Sequence, residues 1–133
     1  MAQLQCVIVT PEQTVLDTEA EFVALPLFDG EIGIAPGRGP LIGRLGFGEM
    51  RLRRGAEVER YYLDGGFVQV AKNVISILTN RAIPGAKINE DAARTQIDGA
   101  LKKPITTPEL LEIRDRSIAQ GRAQLRVAKR SKQ

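Results

Sequence analysis

Turn signals interrupt the chain at short intervals from Gln3 to Asn80, and this spacing restricts the fold more than any other feature. Apolar or alternating runs too short for long helices lie between the turns, a pattern typical of a β-sandwich or β-barrel. The predicted strands are Gln3–Thr10, Glu21–Leu27, Ile32–Ala35, Leu41–Leu45, Glu49–Arg53, Val58–Leu63, Phe67–Val70 and Val74–Thr79. The Gly46-Phe47-Gly48 and Asp64-Gly65-Gly66 segments are interpreted as turns between strands, the second also as a bulge or close backbone approach.

Glycine and proline are concentrated in one stretch, Gly30-Glu31-Ile32-Gly33-Ile34-Ala35-Pro36-Gly37-Arg38-Gly39-Pro40-Leu41. The backbone must turn sharply there, while the apolar residues still contact a core. A structured connection between strands is the simplest interpretation. Within it, Glu31 and Arg38 are expected to reach outward.

The pattern changes after Pro84-Gly85, where two helices are predicted. Asn89 is a candidate N-cap for the first, which ends before Pro104, and Thr107-Pro108 begins the second. Helices this short are marginal in water, so the pair must dock on another surface. We therefore predict a mainly β protein with added α structure: an N-terminal β-sandwich of about 8–10 strands over residues 1–86, then an antiparallel two-helix hairpin over 87–133.

Charge is unevenly divided between these two units. Residues 1–86 carry 8 Lys/Arg against 10 Asp/Glu, whereas residues 87–133 carry 11 against 6. The basic segment indicates either an acidic partner or a solvated tail. Nucleic acid is a poorer partner because only 5% of the residues are aromatic and few rings can stack on bases.

Several classes of function are disfavoured by the side chains present. The chain has no histidine, which removes the commonest general base and metal ligand. Cys6, the single cysteine, lies in an alternating apolar run and is interpreted as a buried structural thiol. No stretch is apolar enough to span a membrane, and no P-loop or nucleophile motif is present. We predict that the chain is not an enzyme and uses no cofactor or metal.

Five segments together resemble the epsilon subunit of F-type ATP synthases. The Gly30–Leu41 stretch is similar to that family's signature, which has His at the position of Arg38. The other matches follow in the family's order: Thr10-Pro11-Glu12, Leu45-Gly46-Phe47-Gly48-Glu49-Met50-Arg51, Gly65-Gly66-Phe67-Val68-Gln69-Val70 and, near the C-terminus, Ala123-Gln124-Leu125-Arg126-Val127-Ala128. The resemblance covers nearly the whole chain.

The resemblance implies a non-catalytic rotor subunit of the central stalk, peripheral to the cytoplasmic face of a bacterial plasma membrane. Its sandwich would bind the γ subunit and the c-ring, with Glu31, Arg38 and Pro40 facing them. Its hairpin would lie on the sandwich or extend toward an acidic segment of the catalytic β subunits and inhibit ATP hydrolysis. The residues assigned to that acidic contact are Arg114, Arg116, Arg122, Arg126, Lys129 and Arg130.

Some members of the family bind ATP through an Ile/Leu-Asp-x-x-Arg-Ala motif at the first helix. Asp91 and Arg94 match its Asp and Arg, but Glu90 and Thr95 stand at its apolar and final positions. Asp91 is therefore interpreted first as a helix-start carboxylate. From the residues alone, an alternative function stays open: a β-sandwich adaptor that binds an anionic membrane or nucleic acid through its basic helix.

Overall fold

The computed structural model describes residues 3–132 and contains eight strands and two helices. The strands are β1 (Leu4–Val9), β2 (Thr14–Ala20), β3 (Phe22–Leu27), β4 (Gly30–Ile34), β5 (Leu41–Arg54), β6 (Glu57–Ala71), β7 (Val74–Leu78) and β8 (Ala82–Pro84). A 3₁₀ turn, Gly85–Lys87, leads to α1 (Glu90–Leu101) and α2 (Pro108–Ser131). Residues 1, 2 and 133, which the predicted units include, lie outside the described residues.

Two long strands join the halves of the sandwich. The sheet order is β2-β1-β7-β6-β5-β3-β4, with β8 also paired to β6. Strand β7 pairs with the second half of β6, whereas β8 pairs with its first half, and β3 pairs mainly with the second half of β5. Each long strand therefore contributes to both layers. The predicted β-sandwich with two C-terminal helices is confirmed.

The glycine segments inside β5 and β6 are not turns, which corrects the predicted strand bounds: each of these two strands was predicted as two shorter ones. Leu45 pairs with Gly66 and Phe47 with Asp64, so one register continues past both segments. Gly66 has φ +112°, and a Cβ there would lie 1.9 Å from the carbonyl oxygen of Leu78. The predicted close backbone approach is confirmed, but the local sequence did not distinguish it from a chain reversal.

Strand β2 was missed by the sequence pattern. Its residues alternate imperfectly between exposed and half-buried positions because it pairs only with β1, at an edge of the sheet. The β6–β7 hairpin, by contrast, is confirmed. Lys72 and Asn73 both have positive φ, at 53° and 63°, as a tight two-residue turn between twisted strands requires.

A single apolar core fills the space between the layers. The largest fully buried side chains in the sandwich include Leu4, Ile8, Leu25, Met50 and Ile77. Cys6 belongs to this core and is fully buried, as predicted. Aliphatic side chains from every layer thus hold the sandwich together.

The two helices begin at the predicted caps and run antiparallel. Asn89 Oδ1 accepts a hydrogen bond from the Ala92 amide at 3.0 Å, and Thr107 Oγ1 accepts one from the Leu110 amide at 3.1 Å. Gln96 Nε2 donates to the Ser117 carbonyl at 2.8 Å, and Lys132 pairs with Glu90 at 2.9 Å. Over residues 3–132, neither helix combines the length and apolarity that a bilayer crossing requires.

Candidate partner-binding surfaces

The Gly30–Leu41 segment is strand β4 followed by a tight turn. Gly37 has φ +89°, and the Arg38 amide donates to the Ala35 carbonyl at 3.2 Å. The Gly37 amide donates to Asn73 Oδ1 at 2.8 Å. The turn of the β6–β7 hairpin therefore holds this loop in place, although the two are distant in sequence.

The structure separates the three side chains that the sequence assigned to this segment. Arg38 and Pro40 are exposed in the loop after β4, whereas Glu31 lies at the start of β4 beside the β3–β4 turn. A strand rises by about 3.3 Å per residue, so Glu31 and Arg38 lie at opposite ends of β4. They form two surfaces rather than one.

Glu31 is held by an arginine of β5, on the other side of β3 in the sheet. Arg51 Nη2 lies 2.7 Å from Oε1 of Glu31, and Arg51 Nη1 lies 3.1 Å from Oε2, so the pair is bidentate. This hydrogen bonding raises the pKa of Arg51. The Glu31 side chain is half exposed, and the ion pair restrains it where the sequence predicted a freely reaching group.

An apolar surface formed mainly by β5, β6 and β7 was not recognised from the sequence. Register places Arg44 beside Phe67 and Phe67 beside Leu78, and Ile42 faces the same way as Arg44. Ile42 is 79% exposed, Phe67 61% and Leu78 57%. The Arg44 guanidinium lies 4.6 Å from the ring centroid of Phe28, which is also exposed. In the sequence, this surface could have been detected from apolar residues at the outward-facing positions of strands whose residues alternate between inward and outward.

We call these five residues, Ile42, Arg44, Phe67, Leu78 and Phe28, the apolar face. It borders an open groove of about 700 Å³ that Val9, Pro11 and Asn80 also line. Contiguous exposed apolar side chains on a folded protein mark an interaction surface. The face therefore has the character of a protein-binding site rather than a small-molecule pocket.

The hairpin packs through α2 on β5, β6 and the 3₁₀ turn. Tyr62, Ile83 and Ile88 form a small second core with Ala123, Val127 and Ala128 of α2. Gly85 meets the last turn of α2 so closely that a Cβ at Gly85 would lie 1.7 Å from Ser131 Oγ. Small residues on α2 thus permit close packing on the sandwich.

Polar contacts surround this small core. Gln120 Nε2 donates to Asp64 Oδ1 at 2.9 Å, and the Tyr62 hydroxyl donates to the same oxygen at 3.2 Å. Burial raises the pKa of the Tyr62 hydroxyl, which therefore stays protonated as a donor. Arg130 Nη1 lies 3.3 Å from Glu49 Oε1. Docking of α2 thus combines a small apolar area with hydrogen bonds and an ion pair.

The six predicted basic residues of α2 do not form one cluster. Arg122, Arg126 and Lys129 lie on one exposed helical face at i, i+4 and i+7. Arg130 is exposed but reaches back to Glu49, and Arg116 pairs with Glu112 at 3.7 Å. Arg114 is partly buried, with Nε 3.7 Å from Asp115 Oδ1. We call Arg122, Arg126 and Lys129 the basic stripe.

Asp91 and Arg94 lie together on the first turn of α1. Their side chains pair with each other at 3.3 Å, and the Asp91 side chain is 96% exposed. A cleft of about 400 Å³ beside them is lined by Asp91, Glu90 and Lys132 but not by Arg94. Two carboxylates and one ammonium line this cleft, a charge balance that disfavours a polyphosphate. Across residues 3–132, no group of three Cys, Asp or Glu side chains forms a candidate metal site.

Comparison with known sequences agrees with this architecture. A family profile described as "ATP synthase, Delta/Epsilon chain, beta-sandwich domain" matches residues 3–85. An ATP synthase epsilon chain of Rhodopirellula baltica is 49% identical over 126 residues, which cover 95% of this chain and 98% of the relative. One from Desulfitobacterium hafniense strain Y51 is 40% identical over 120 residues, with 90% of each chain covered.

Solved structures share the fold. A chain in the Euglena gracilis mitochondrial ATP synthase, OSCP/F1/c-ring, superposes with a TM-score of 0.74 at 20% identity, covering 97% of this chain and 79% of that one. A chain in the Tetrahymena thermophila mitochondrial ATP synthase central stalk/c-ring gives 0.73 at 14% identity, covering 94% and 96%. The sequence relatives confirm the predicted family and, with it, the prediction of a non-catalytic subunit. The chain belongs to the family of ATP synthase epsilon chains.

Proposed function

We propose that this chain is a central-stalk subunit that couples c-ring rotation to ATP synthesis and inhibits ATP hydrolysis through its C-terminal hairpin. One observation carries the regulatory part. The hairpin rests on the sandwich through a small apolar area, while its basic stripe points away and is exposed. An element with a modest docking surface and a second, unused charged surface is suited to exchange between two positions.

Residues 1–86 form the rotor-binding unit in this proposal, and residues 87–133 form the regulatory unit. The γ subunit binds the apolar face, where exposed aromatic and aliphatic side chains surround Arg44. This assignment is supported by the high exposure of those side chains and by their adjacent positions in the register, since folded proteins rarely leave such a surface in water without a partner.

The c-ring and γ meet the two ends of β4. Glu31 supplies a carboxylate at one end, and Arg38 with Pro40 supplies a cation and a rigid turn at the other. In this proposal the chain lies at the cytoplasmic face of a bacterial plasma membrane, peripheral to the bilayer. No ATP site is included, because the acidic surroundings of Asp91 and Arg94 oppose a polyphosphate.

Co-expression with γ tests the rotor assignment. We expect the wild-type chain to purify with γ in stoichiometric amounts, and Phe67→Asp combined with Leu78→Asp to abolish the complex, because two carboxylates would be buried at the interface. Val58→Asp is the matched control, since Val58 is 45% exposed but lies outside the apolar face. Equal loss of γ in both variants, or binding that survives the double change, would contradict the assignment.

ATP hydrolysis by the reconstituted complex tests the regulatory assignment. Deletion after Lys87 should raise hydrolysis and leave assembly intact. Replacing Arg122, Arg126 and Lys129 with Gln should raise hydrolysis in part, because the stripe would lose its attraction to acidic residues of β. The control makes the same replacement by Gln at Lys102 and Lys103, which lie at the turn between the helices. Unchanged hydrolysis in the deletion would refute inhibition by the hairpin.

A further inference from the structure

A buried carboxylate lies beneath the last turn of α2 and contacts three arginines. Glu49 is only 9% exposed, and its Oε1 lies 3.2 Å from Arg51 Nη1 and 3.3 Å from Arg130 Nη1. Its Oε2 lies 3.5 Å from Arg60 Nε. Two of the arginines belong to the sandwich, and the third belongs to the hairpin. Glu49 thus joins the two units electrostatically.

The sandwich arginines need this carboxylate for their own placement. Arg51 and Arg60 are directly opposite each other in the β5–β6 register. Like charges at opposed positions repel, and the short distance across an antiparallel pair makes that repulsion significant. Glu49 offsets it from the same face of the sheet. The attraction left for Arg130 depends on how fully the other two arginines are neutralised.

Arg51 is shared with a second carboxylate. The same Nη1 that contacts Glu49 also lies 3.1 Å from Glu31 Oε2, and Nη2 lies 2.7 Å from Glu31 Oε1. A continuous series, Arg130–Glu49–Arg51–Glu31, therefore runs from the last turn of α2 to the start of β4. The full cluster contains three guanidinium groups and two carboxylates, counting Arg60.

We propose that this series couples Glu31 to the docking of α2. When a cationic group of a partner binds Glu31, α2 docks less firmly on the sandwich. We call this coupling the relay. A partner that draws Glu31 away leaves three guanidinium groups around one carboxylate. Arg51 then turns fully to Glu49, and the added positive charge repels Arg130. Both effects lower the stability of the docked hairpin.

The coupling is reciprocal by thermodynamic necessity. Release of α2 removes Arg130, and Arg51 then becomes the main partner of Glu49 and holds Glu31 less firmly. An undocked hairpin therefore favours a Glu31 that is available to a partner. The identity of that partner as the rotor rests on the proposed function, but the coupling within the chain does not.

Hydrogen exchange of the isolated full chain measures the relay without any partner. The readout is exchange of amides on the docked side of α2, around Ala123 and Val127, with the core amides of Ile75 and Ile77 as a reference for global unfolding. Glu49→Gln and Arg130→Gln should each accelerate α2 exchange by about tenfold, since each removes the charged hydrogen bond between α2 and the sandwich. Core exchange should stay unchanged.

Glu31→Gln provides the decisive variant. It should accelerate α2 exchange by about threefold, the size expected for a half-exposed ion pair. Glu57→Gln is the matched control, since it makes the same charge change at an exposed glutamate for which residues 3–132 supply no ion pair. High salt should shrink the Glu31→Gln effect through screening.

A double variant separates a relay from an independent contribution. In the Arg130→Gln background, Glu31→Gln should not accelerate α2 exchange any further, because Arg130, the member of the series that lies on α2, is gone. The relay is refuted if the threefold effect persists there, or if Glu31→Gln behaves like Glu57→Gln. Neither outcome depends on γ. Failure of co-purification would instead contradict the proposed function and leave the relay standing.

Discussion

The backbone of Gly121 in α2 lies so close to α1 that a Cβ there would stand 2.6 Å from Cγ1 of Ile97 and 3.1 Å from the carbonyl oxygen of Ala93. Glycine in the middle of a helix costs about 1 kcal/mol relative to alanine. The close crossing of the two helices explains why glycine stands at this position. A glycine inside a helix can let the helix bend or let another backbone approach closely, and the structure shows the second.

Gly121→Ala should therefore destabilise the hairpin although alanine is the better helix former. Overpacking against a backbone carbonyl costs about 1–3 kcal/mol, which exceeds the gain in helix propensity. Hydrogen exchange of α1 amides is the measurement. Gly99→Ala is the control, because a Cβ there meets nothing within 4 Å, and it should slow exchange instead. The same sign for both variants would contradict this account.

Gly66→Ala should destabilise the sandwich by more than about 3 kcal/mol. The new Cβ would overlap the Leu78 carbonyl, and φ is +112°, a backbone conformation that L-residues rarely adopt. Gly55→Ala has a smaller backbone penalty, because φ +60° lies in the left-handed region that L-residues can enter, and it has open space around it; it should cost only about 1–2 kcal/mol. Urea denaturation measures both. Similar losses would show that the backbone approach at Gly66 is unimportant.

Cys6 should be unreactive toward thiol reagents at pH 9 in the folded protein. Burial, with a smaller effect of Asp17, raises its pKa from 9.0 to about 12. Between pH 9.0 and about 12 the folded thiol keeps its proton while the unfolded thiol loses it. The contribution of Cys6 to the free energy of unfolding is therefore complete below pH 9.0 and is lost as the pH rises toward 12. Cys6→Ala should show a shallower alkaline loss of stability. Fast labelling of the native thiol would contradict the buried position.

Asn73→Gly should free the loop after β4 without disrupting the β6–β7 turn. Glycine accepts the positive φ of 63°, but the hydrogen bond from the Gly37 amide to Asn73 Oδ1 is lost. We expect the Gly37 amide to exchange several times faster while global stability changes by less than about 1 kcal/mol. Asn73→Ala, which loses both features, should cost more. An unchanged Gly37 exchange rate would show that Asn73 does not restrain the loop.

The helix starts at Asn89 and Thr107 and the turn at Lys72-Asn73 were predictable because capping and positive φ depend on neighbouring residues. The continuity of β5 and β6 was not predictable. Glycines at Gly46 and Gly65–Gly66 give the same local signal in a chain reversal and within a strand, and pairing with partners distant in sequence separates the two cases. The edge strand β2 was missed because its single neighbour buries little of it.

The sequence by itself determined the family, through the resemblance of its ordered motifs, and it determined the β-sandwich with two C-terminal helices and the burial of Cys6 through local pattern. Tertiary structure alone decided which side chains act together. It separated Glu31 from Arg38 along β4, united Glu31 with Arg51, Glu49 and Arg130, and assembled the apolar face from strands far apart in sequence. The physical reason is that charge pairing and apolar contact weaken over a few ångströms, and these side chains come that close to each other only in the folded strand register.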